Sequence, residues 1–233
     1  FTLLGPLDHP VADGNDSETL PGLGIDFTSV LTATDYDGDP VNGFSDPQNS
    51  GRFVINVEDD VPALASNQNE QQRPSITGLV HEDLLSSPHT GNSEAGQTLT
   101  ATGGPGALSA LVNFGADGPG AFGLSSDLSS LTAQALTSAG AALGYSVAGN
   151  LLTASVADYD VFTLQVNADG SYTFTLLGPI DHPVMDGNDG ETLTGLGIDF
   201  SGVLTATDGD GDPLVGGFPA GSFAIDVQDD VPT

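Results

Sequence analysis

The sequence predicts an all-β protein made of antiparallel β-sandwich repeats in tandem, with little helix. Short segments alternate apolar and polar residues, which is the pattern of a strand buried on one face. Glycine, asparagine and aspartate separate these segments at the spacing typical of a sandwich. The chain also repeats its own sequence, so the same structural unit is expected more than once.

The clearest element is a hairpin over residues 159–178, YDVFTLQVNADGSYTFTLLG. Apolar and polar residues alternate on both sides of Asn167–Gly170, with glycine at the left-handed position of the loop. Residues 129–143, SSLTAQALTSAGAAL, are rich in alanine, but their threonine and glycine lower the helix propensity. Further short strands are predicted in LVNFGADG (111–118), NLLTASVAD (150–158), IDFSGVLTATD (198–208) and SFAIDVQDD (222–230).

The internal repeat sets the predicted domain boundaries. Residues 1–40 and 174–213 differ at only seven of 40 aligned positions, an offset of 173 residues (174 − 1). Both copies continue to DDVP, at 59–62 and 229–232. We therefore predict the C-terminal part of one repeat at 1–62 and one complete repeat at 63–233, an excerpt of a tandem array. Residues 63–78 are predicted as a linker or a first strand.

The charge of the chain limits its partners. It has 32 acidic residues against two basic ones and a net charge of −30, so it should repel itself and need cations in order to compact. Nucleic acids and anionic membranes are excluded as partners because both require basic patches. The sequence contains no run of 18 apolar residues, so direct membrane insertion is not predicted. Patterned apolar residues, 38% of the chain, argue against disorder.

Two copies of TATD-x-DGDP carry aspartates at alternate positions, the spacing with which an EF-hand loop begins. An EF-hand is excluded because Pro40 follows the third aspartate and because position twelve, a glutamate in that motif, is Asp46 or Pro219. An aspartate-rich turn that binds Ca²⁺ and a solvated hairpin turn remain as the two interpretations. The candidate calcium ligands are Asp35, Asp37, Asp39, Asp208, Asp210 and Asp212.

A second acidic group closes each copy, in EDDVP and QDDVP. Adjacent aspartates before an extended X-Pro step suit ligands at a domain junction, although a plain acidic linker has the same composition. Acidic residues at the start of the next domain, in VHEDLL, could meet Asp60 and complete the site. The candidates are Asp59, Asp60, Asp229 and Asp230 with Glu82 and Asp83.

The loops DGNDSET (13–19) and DGNDGET (186–192) form a third oxygen-rich group, which Asx-turn chemistry alone could explain. Its candidate ligands are Asp186, Asn188 and Asp189, with Glu191 beside them. Asp158 and Asp160 in ADYD, and Asp117 in GADGPG, are weaker candidates.

Enzymatic signatures are absent from the sequence. It contains no G-x-S-x-G, dinucleotide-binding or P-loop motif, so no catalytic residue is predicted. His9 and His182 occupy equivalent DHP positions, where a structural hydrogen bond to the neighbouring aspartate is favoured over a catalytic dyad. Zinc is disfavoured because histidine is not clustered and cysteine is lacking.

Several segments in this order resemble the long repeats of giant bacterial adhesins exported by type I secretion, the RTX adhesin class. They are LVNFGADGPG, LTSAGAALGYSV, DVFTLQVNADGSYTFTLLGPIDHP, LTATDGDGDP and the terminal DDVP. The resemblance implies immunoglobulin- or cadherin-like β modules, rigidified by Ca²⁺ through the aspartates of the turns and of DDVP. The RTX nonapeptide G-G-x-G-x-D is missing, so no export signal can be assigned to this fragment.

The function implied by this resemblance is that of a non-catalytic extender of a secreted, cell-surface adhesin, which gives reach for cell adhesion or biofilm formation. Its partners would be neighbouring repeats of the same chain, with the adhesive ligand bound elsewhere. The alternative is a Ca²⁺-dependent module that binds a glycan or peptide itself. That alternative requires an exposed aromatic platform or an open calcium coordination position.

Overall fold

The computed structural model describes residues 1–9, 13–15, 24–41, 43–44, 46–66, 73–86, 96–182, 192–193 and 197–230. Within these ranges the protein is built almost entirely of strands, which confirms the predicted all-β class. The strands are β1 (Ile25–Asp26), β2 (Val54–Ile55), β3 (Ala63–Leu64), β4 (Ile76–His81), β5 (Thr100–Gly103), β6 (Val112–Asn113), β7 (Pro119–Leu124), β8 (Thr137–Ser138), β9 (Ala141–Ala142), β10 (Gly144–Ala148), β11 (Leu151–Val156), β12 (Tyr159–Val166), β13 (Tyr172–Leu176), β14 (Ile198–Asp199), β15 (Leu204–Asp208) and β16 (Phe223–Gln228).

Helical structure is short wherever the chain is described. One α-helical turn, α1 (Ser129–Thr132), occupies the start of the alanine-rich segment, which continues as the β8–β9 hairpin. Within the described residues, no helix is both long and apolar enough to cross a membrane. The 3₁₀ helices are Thr28–Val30, Pro47–Asn49, Glu82–Leu84, Ala107–Leu111 and Ser201–Val203.

The complete repeat is a two-layer sandwich. One layer is a five-stranded antiparallel sheet in the order β10-β11-β12-β13-β5. The facing layer holds the three-stranded sheet β14-β16-β4 and the β15–β7 ribbon. The predicted hairpin at Asn167–Gly170 joins β12 to β13, and Gly170 has a φ of +76°. One pairing departs from the antiparallel pattern: β4 and β16, the first and last strands of this sheet in chain order, run parallel and in register.

Four phenylalanines form the centre of the core between the two layers. Phe162 and Phe174 extend from the five-stranded sheet and meet Phe200 and Phe223 of the facing layer, with ring centroids 5.3–6.0 Å apart along the contacts that link them. All four side chains are fully buried. Alternation places these rings inward, and each buries a large apolar area in the core of the sandwich.

The partial repeat, residues 1–62, keeps the local structure of the complete repeat without its core. The β1–β2 pair has the same register as β14–β16, and Phe1, Phe27 and Phe53 form the equivalent aromatic row. Phe1 is nevertheless 68% exposed and Phe53 41% exposed. The described part of residues 1–62 therefore forms no sandwich of its own in this chain.

The segment that follows DDVP joins the complete repeat. Strand β3 pairs with β6, and the amide of Ala65 donates to the carbonyl of Leu111 at 2.9 Å. Strand β4 then begins at Ile76. The predicted linker or first strand at 63–78 thus contains one short strand and the start of a second.

Phe200→Ala should lower the free energy of unfolding by about 3–5 kcal/mol, because it leaves a cavity between the two layers. The matched control is Phe27→Ala, the equivalent change in the partial repeat, which should cost far less. Urea unfolding followed by far-ultraviolet circular dichroism measures both. Equal losses would contradict a core confined to the complete repeat.

Candidate metal centre

The acidic turn of the complete repeat, Asp208–Asp212, is shaped by its own first aspartate. The amide of Asp208 donates to the carbonyl of Asp212 at 3.0 Å. Asp208 Oδ1 accepts from the amides of Gly211 and Asp212 at 3.2 and 2.8 Å. Gly211 has a φ of +110°, which glycine adopts without steric cost. One oxygen of Asp208 therefore builds the turn, while the other has no hydrogen-bond partner among the described residues.

The acidic turn of the partial repeat, residues 35–39, is built in the same way. Asp35 Oδ1 accepts from two backbone amides of the turn at 3.1 and 2.9 Å. The carboxylates of Asp35, Asp37 and Asp39 are exposed, whereas Asp208 and Asp212 are only 1% and 0% exposed. Local sequence makes the turn, and tertiary contacts bury only the second copy.

Residues His9, Gly14 and Asp59 of the partial repeat cover the acidic turn of the complete repeat from one side. The amide of His9 donates to Asp210 Oδ2 at 3.0 Å, and the amide of Gly14 donates to Asp212 Oδ1 at 2.6 Å. His9 Nδ1 lies 3.1 Å from Asp59 Oδ1. His9, Asp59 and Asp210 offer ligand atoms that all lie within 4.8 Å of one another. We call this contact region the junction.

The GADG loop, residues 115–118, covers the same turn from the other side. The amide of Ala116 donates to Asp60 Oδ2 of the partial repeat at 2.6 Å. The Asp117 carboxylate lies within 4.8 Å of ligand atoms of Asp208 and Asp210. Burial and the negative charges of Asp210 and Asp60 raise the pKa of Asp117. The loop thus connects the acidic turn to the preceding repeat, and Asp117 belongs to the junction although its sequence context made it a weak candidate.

Carboxylate oxygens are buried at the junction without a partner in the described part of the chain. They are Asp59 Oδ2, Asp208 Oδ2, Asp210 Oδ1 and Asp212 Oδ2.

Burial of an unpaired charge is costly, so such a site favours protonation or a bound cation. Burial and the neighbouring Asp210 raise the pKa of Asp208 to about 7, and burial also raises the pKa of Asp59. Hard carboxylate oxygens are the ligands that Ca²⁺ prefers. The donor set of the junction therefore fits this ion.

The two DHP histidines act as hydrogen-bond donors. His9 Nε2 lies 3.2 Å from the carbonyl of Val57 while its other nitrogen faces Asp59. Burial alone would lower the pKa of His9, but the Val57 carbonyl and the Asp59 charge outweigh it and raise the pKa. The ring nitrogens of His182 each lie 3.0 Å from a backbone carbonyl, and Nδ1 lies 3.4 Å from Asp229. Each of these histidines therefore faces the first aspartate of a DDVP sequence. The sequence predicts a hydrogen bond to the adjacent aspartate of DHP instead, and this prediction is corrected.

A related group lies at the end of the complete repeat. Glu82, His182 and Asp229 offer ligand atoms within 4.8 Å of one another. Glu82 is 5% exposed, and its Oε1 accepts from the amide of Ile180 at 2.6 Å. Burial raises the pKa of Glu82 to about 8, and the charges of Asp229 and Asp230 act in the same direction. His182 and Asp229 are the repeat equivalents of His9 and Asp59 in the junction, and Glu82 completes this group.

The sequence predicts that Glu82 and Asp83 lie beside Asp60, and the strand pairing corrects this prediction. Strands β4 and β16 run parallel and in register to their last residues, so the residues that follow β4 lie beside those that follow β16. Glu82 consequently joins Asp229 of its own repeat. Asp83 is buried, and its Oδ2 accepts from Gln97 Nε2 at 2.7 Å.

The third oxygen-rich loop is described only in part. In the first copy the amide of Asn15 donates to Asp13 Oδ1 at 3.0 Å, an Asx-turn contact, and the loop reaches Asp212 through the Gly14 amide. The candidates of the second copy lie outside the described residues: Asp186, Asn188 and Asp189.

Glu82→Gln should stabilise the calcium-free protein, and the gain should grow with pH. The pKa of Glu82 rises from 4.5 to about 8 on folding, so the folded state retains a proton that the unfolded chain releases. Wild-type stability therefore falls from pH 4.5 towards pH 8 by up to about 1.4 kcal/mol per pH unit. Urea unfolding in chelator, from pH 5 to 9, measures the difference. Glu58→Gln, at an exposed site, is the control, and a difference independent of pH would contradict this account.

Comparison with known proteins gives one match. A family described as a domain of unknown function (DUF5801) matches residues 65–216, which include the GADG loop and the acidic turn of the complete repeat. No curated protein and no solved structure matches significantly. Because the matched residues make up more than half of the chain, this protein belongs to the DUF5801 family.

Proposed function

We propose that the chain is a non-catalytic, Ca²⁺-rigidified extender module of a large bacterial surface adhesin, which gives reach for cell adhesion or biofilm formation. The observation that carries this proposal is the set of buried carboxylate oxygens that two repeats contribute to one junction and that have no partner among the described residues. Secretion and a place at the cell surface rest on the resemblance of the repeats to type I-secreted RTX adhesins.

Calcium is the proposed ion because the junction supplies oxygen donors and negative charge. Ca²⁺ takes six to eight oxygen ligands in flexible geometry, and aspartate carboxylates are among its usual ligands. The residues that would hold it are Asp59, Asp117, Asp208, Asp210 and Asp212, with Asp60 at the edge of the site. When bound, the ion would supply positive charge to carboxylates that otherwise repel one another.

Stiffness follows from the origin of these ligands. Asp59 belongs to the partial repeat, whereas Asp208, Asp210 and Asp212 belong to the complete repeat. A cation that binds both sets restrains the angle between the two units. Without the cation, Coulomb repulsion between the same groups favours their separation.

The proposed partners are neighbouring repeats of the same chain. His182 and Asp229 at the end of the complete repeat are the equivalents of His9 and Asp59, which contact the acidic turn in the junction. The next repeat would place its own acidic turn against this group. Glu82 would then contribute a further carboxylate to that site.

The alternative proposal, a Ca²⁺-dependent module that binds a glycan or peptide, has less support. The central aromatic side chains of the complete repeat, Phe162, Phe174, Phe200 and Phe223, are fully buried in the core and offer no platform. A glycan array probed at millimolar calcium separates the two proposals, since an extender should bind none of the glycans.

Chelation should lower the melting temperature and loosen the junction. A ligand at 100 times its Kd stabilises the folded state by about 2.7 kcal/mol, so the effect of Ca²⁺ should be large. Calorimetric titration with Ca²⁺ and small-angle X-ray scattering with and without chelator measure binding and dimensions. If chelation changes neither the melting temperature nor the dimensions, the proposal fails.

Asp210→Ala should remove most of the calcium-dependent rise in melting temperature and have little effect in chelator. Asp210 touches both repeats, so its loss weakens the cation site rather than the core. Asp37→Ala is the matched control, because Asp37 is the equivalent aspartate of the turn whose carboxylates are exposed. Thermal unfolding at millimolar calcium and in chelator compares the two variants. Equal calcium dependence in both would count against the junction as the site.

A further inference from the structure

The two acidic turns differ at one residue. TATDYDGDP (32–40) and TATDGDGDP (205–213) are otherwise identical, so Tyr36 stands where the complete repeat has Gly209. The two turns share the backbone hydrogen bond that closes the turn and the two amide hydrogen bonds to the first aspartate, and the Gly38 amide also donates to the carbonyl of Asp35 at 3.3 Å. Tyrosine at this position is therefore compatible with the turn itself.

The contacts around Gly209 are not compatible with a side chain. A Cβ atom added to Gly209 would lie 2.3 Å from the carbonyl oxygen of Asp117 and 3.8 Å from that of Gly118. The obstacle is backbone, which cannot rotate aside as the end of a flexible side chain can. The GADG loop occupies its place only because residue 209 is glycine.

The GADG loop has two contacts that would move with it. The amide of Ala116 holds Asp60 of the preceding repeat, and the Asp117 carboxylate faces Asp208 and Asp210. Displacing the loop therefore removes one carboxylate from the junction and one hydrogen bond between repeats. Tyr36 is fully exposed, and residues 1–62 do not include the stretch of its repeat that corresponds to the GADG loop.

We infer that the residue at position 209 determines whether a GADG loop closes over the acidic turn. Glycine permits closure and places Asp117 at the junction, whereas tyrosine, as in Tyr36, marks a turn that a loop cannot close in this way. An array that contains both kinds of turn has junctions of two calcium affinities, one stiff and one pliable. This inference rests on the proposed function and adds a residue that tunes its metal site.

The test uses the whole 233-residue chain with Ca²⁺ alone as the probe. Gly209→Tyr introduces the residue of the other turn, Gly209→Ala adds only the Cβ, and Tyr36→Gly is the matched control. Each is combined with Asp117→Asn, and calcium binding is measured by calorimetry. Amide hydrogen exchange at Ala116, with or without calcium, reports directly whether the GADG loop keeps its hydrogen bond to Asp60. Circular dichroism establishes whether each variant is folded. If Gly209→Tyr does not fold, the results for Gly209→Ala test the inference.

In the wild-type background and in Tyr36→Gly, Asp117→Asn should weaken Ca²⁺ binding by about tenfold, since ligand charge sets calcium affinity. In the Gly209 variants Asp117→Asn should have little further effect, and Ala116 should exchange faster. An equal effect of Asp117→Asn in all backgrounds, or unchanged exchange at Ala116, overturns the inference. If the wild-type chain binds no Ca²⁺, the proposed function fails, and Ala116 exchange alone then decides the role of Gly209.

Discussion

Repulsion between carboxylates buried at the boundary of two repeats is the constraint on which the arrangement of this protein depends. The core of the complete repeat is apolar and its central phenylalanines are fully buried, so the hydrophobic contribution to stability comes from residues outside the junction. The junction, in contrast, gathers Asp59, Asp208, Asp210 and Asp212 with oxygens that no described group satisfies. Hydrophobic burial thus determines the sandwich, while electrostatics determines how adjacent units stand to each other.

The topology of the sandwich brings these acidic groups together. Parallel pairing of β4 with β16 brings their ends side by side, and this places Glu82 next to Asp229. Antiparallel pairing of β15 with β7 matches Asp208 with Pro119, and this places Asp117 beside the acidic turn. The metal candidates are therefore consequences of strand register, which the apolar face of each strand fixes.

Local chemistry made part of this structure predictable from the sequence. The Asn167–Gly170 hairpin and the acidic turns follow from contacts within a few residues, in which a side-chain oxygen or a left-handed glycine shapes the backbone. The roles of Asp117 and Glu82 depend on pairings between residues that are distant in sequence, and periodicity alone does not specify which strands pair. The repeat showed which aspartates recur, but the groups that they face required the tertiary structure.

Identical local structures acquire different properties from their surroundings in this chain. Asp35 and Asp208 make the same backbone contacts, yet only Asp208 is buried, and burial raises its pKa to about 7. A change from Gly209 to the tyrosine found at position 36 lies outside the hydrophobic core and leaves the turn's own hydrogen bonds possible, but it meets the backbone of the loop that joins the repeats.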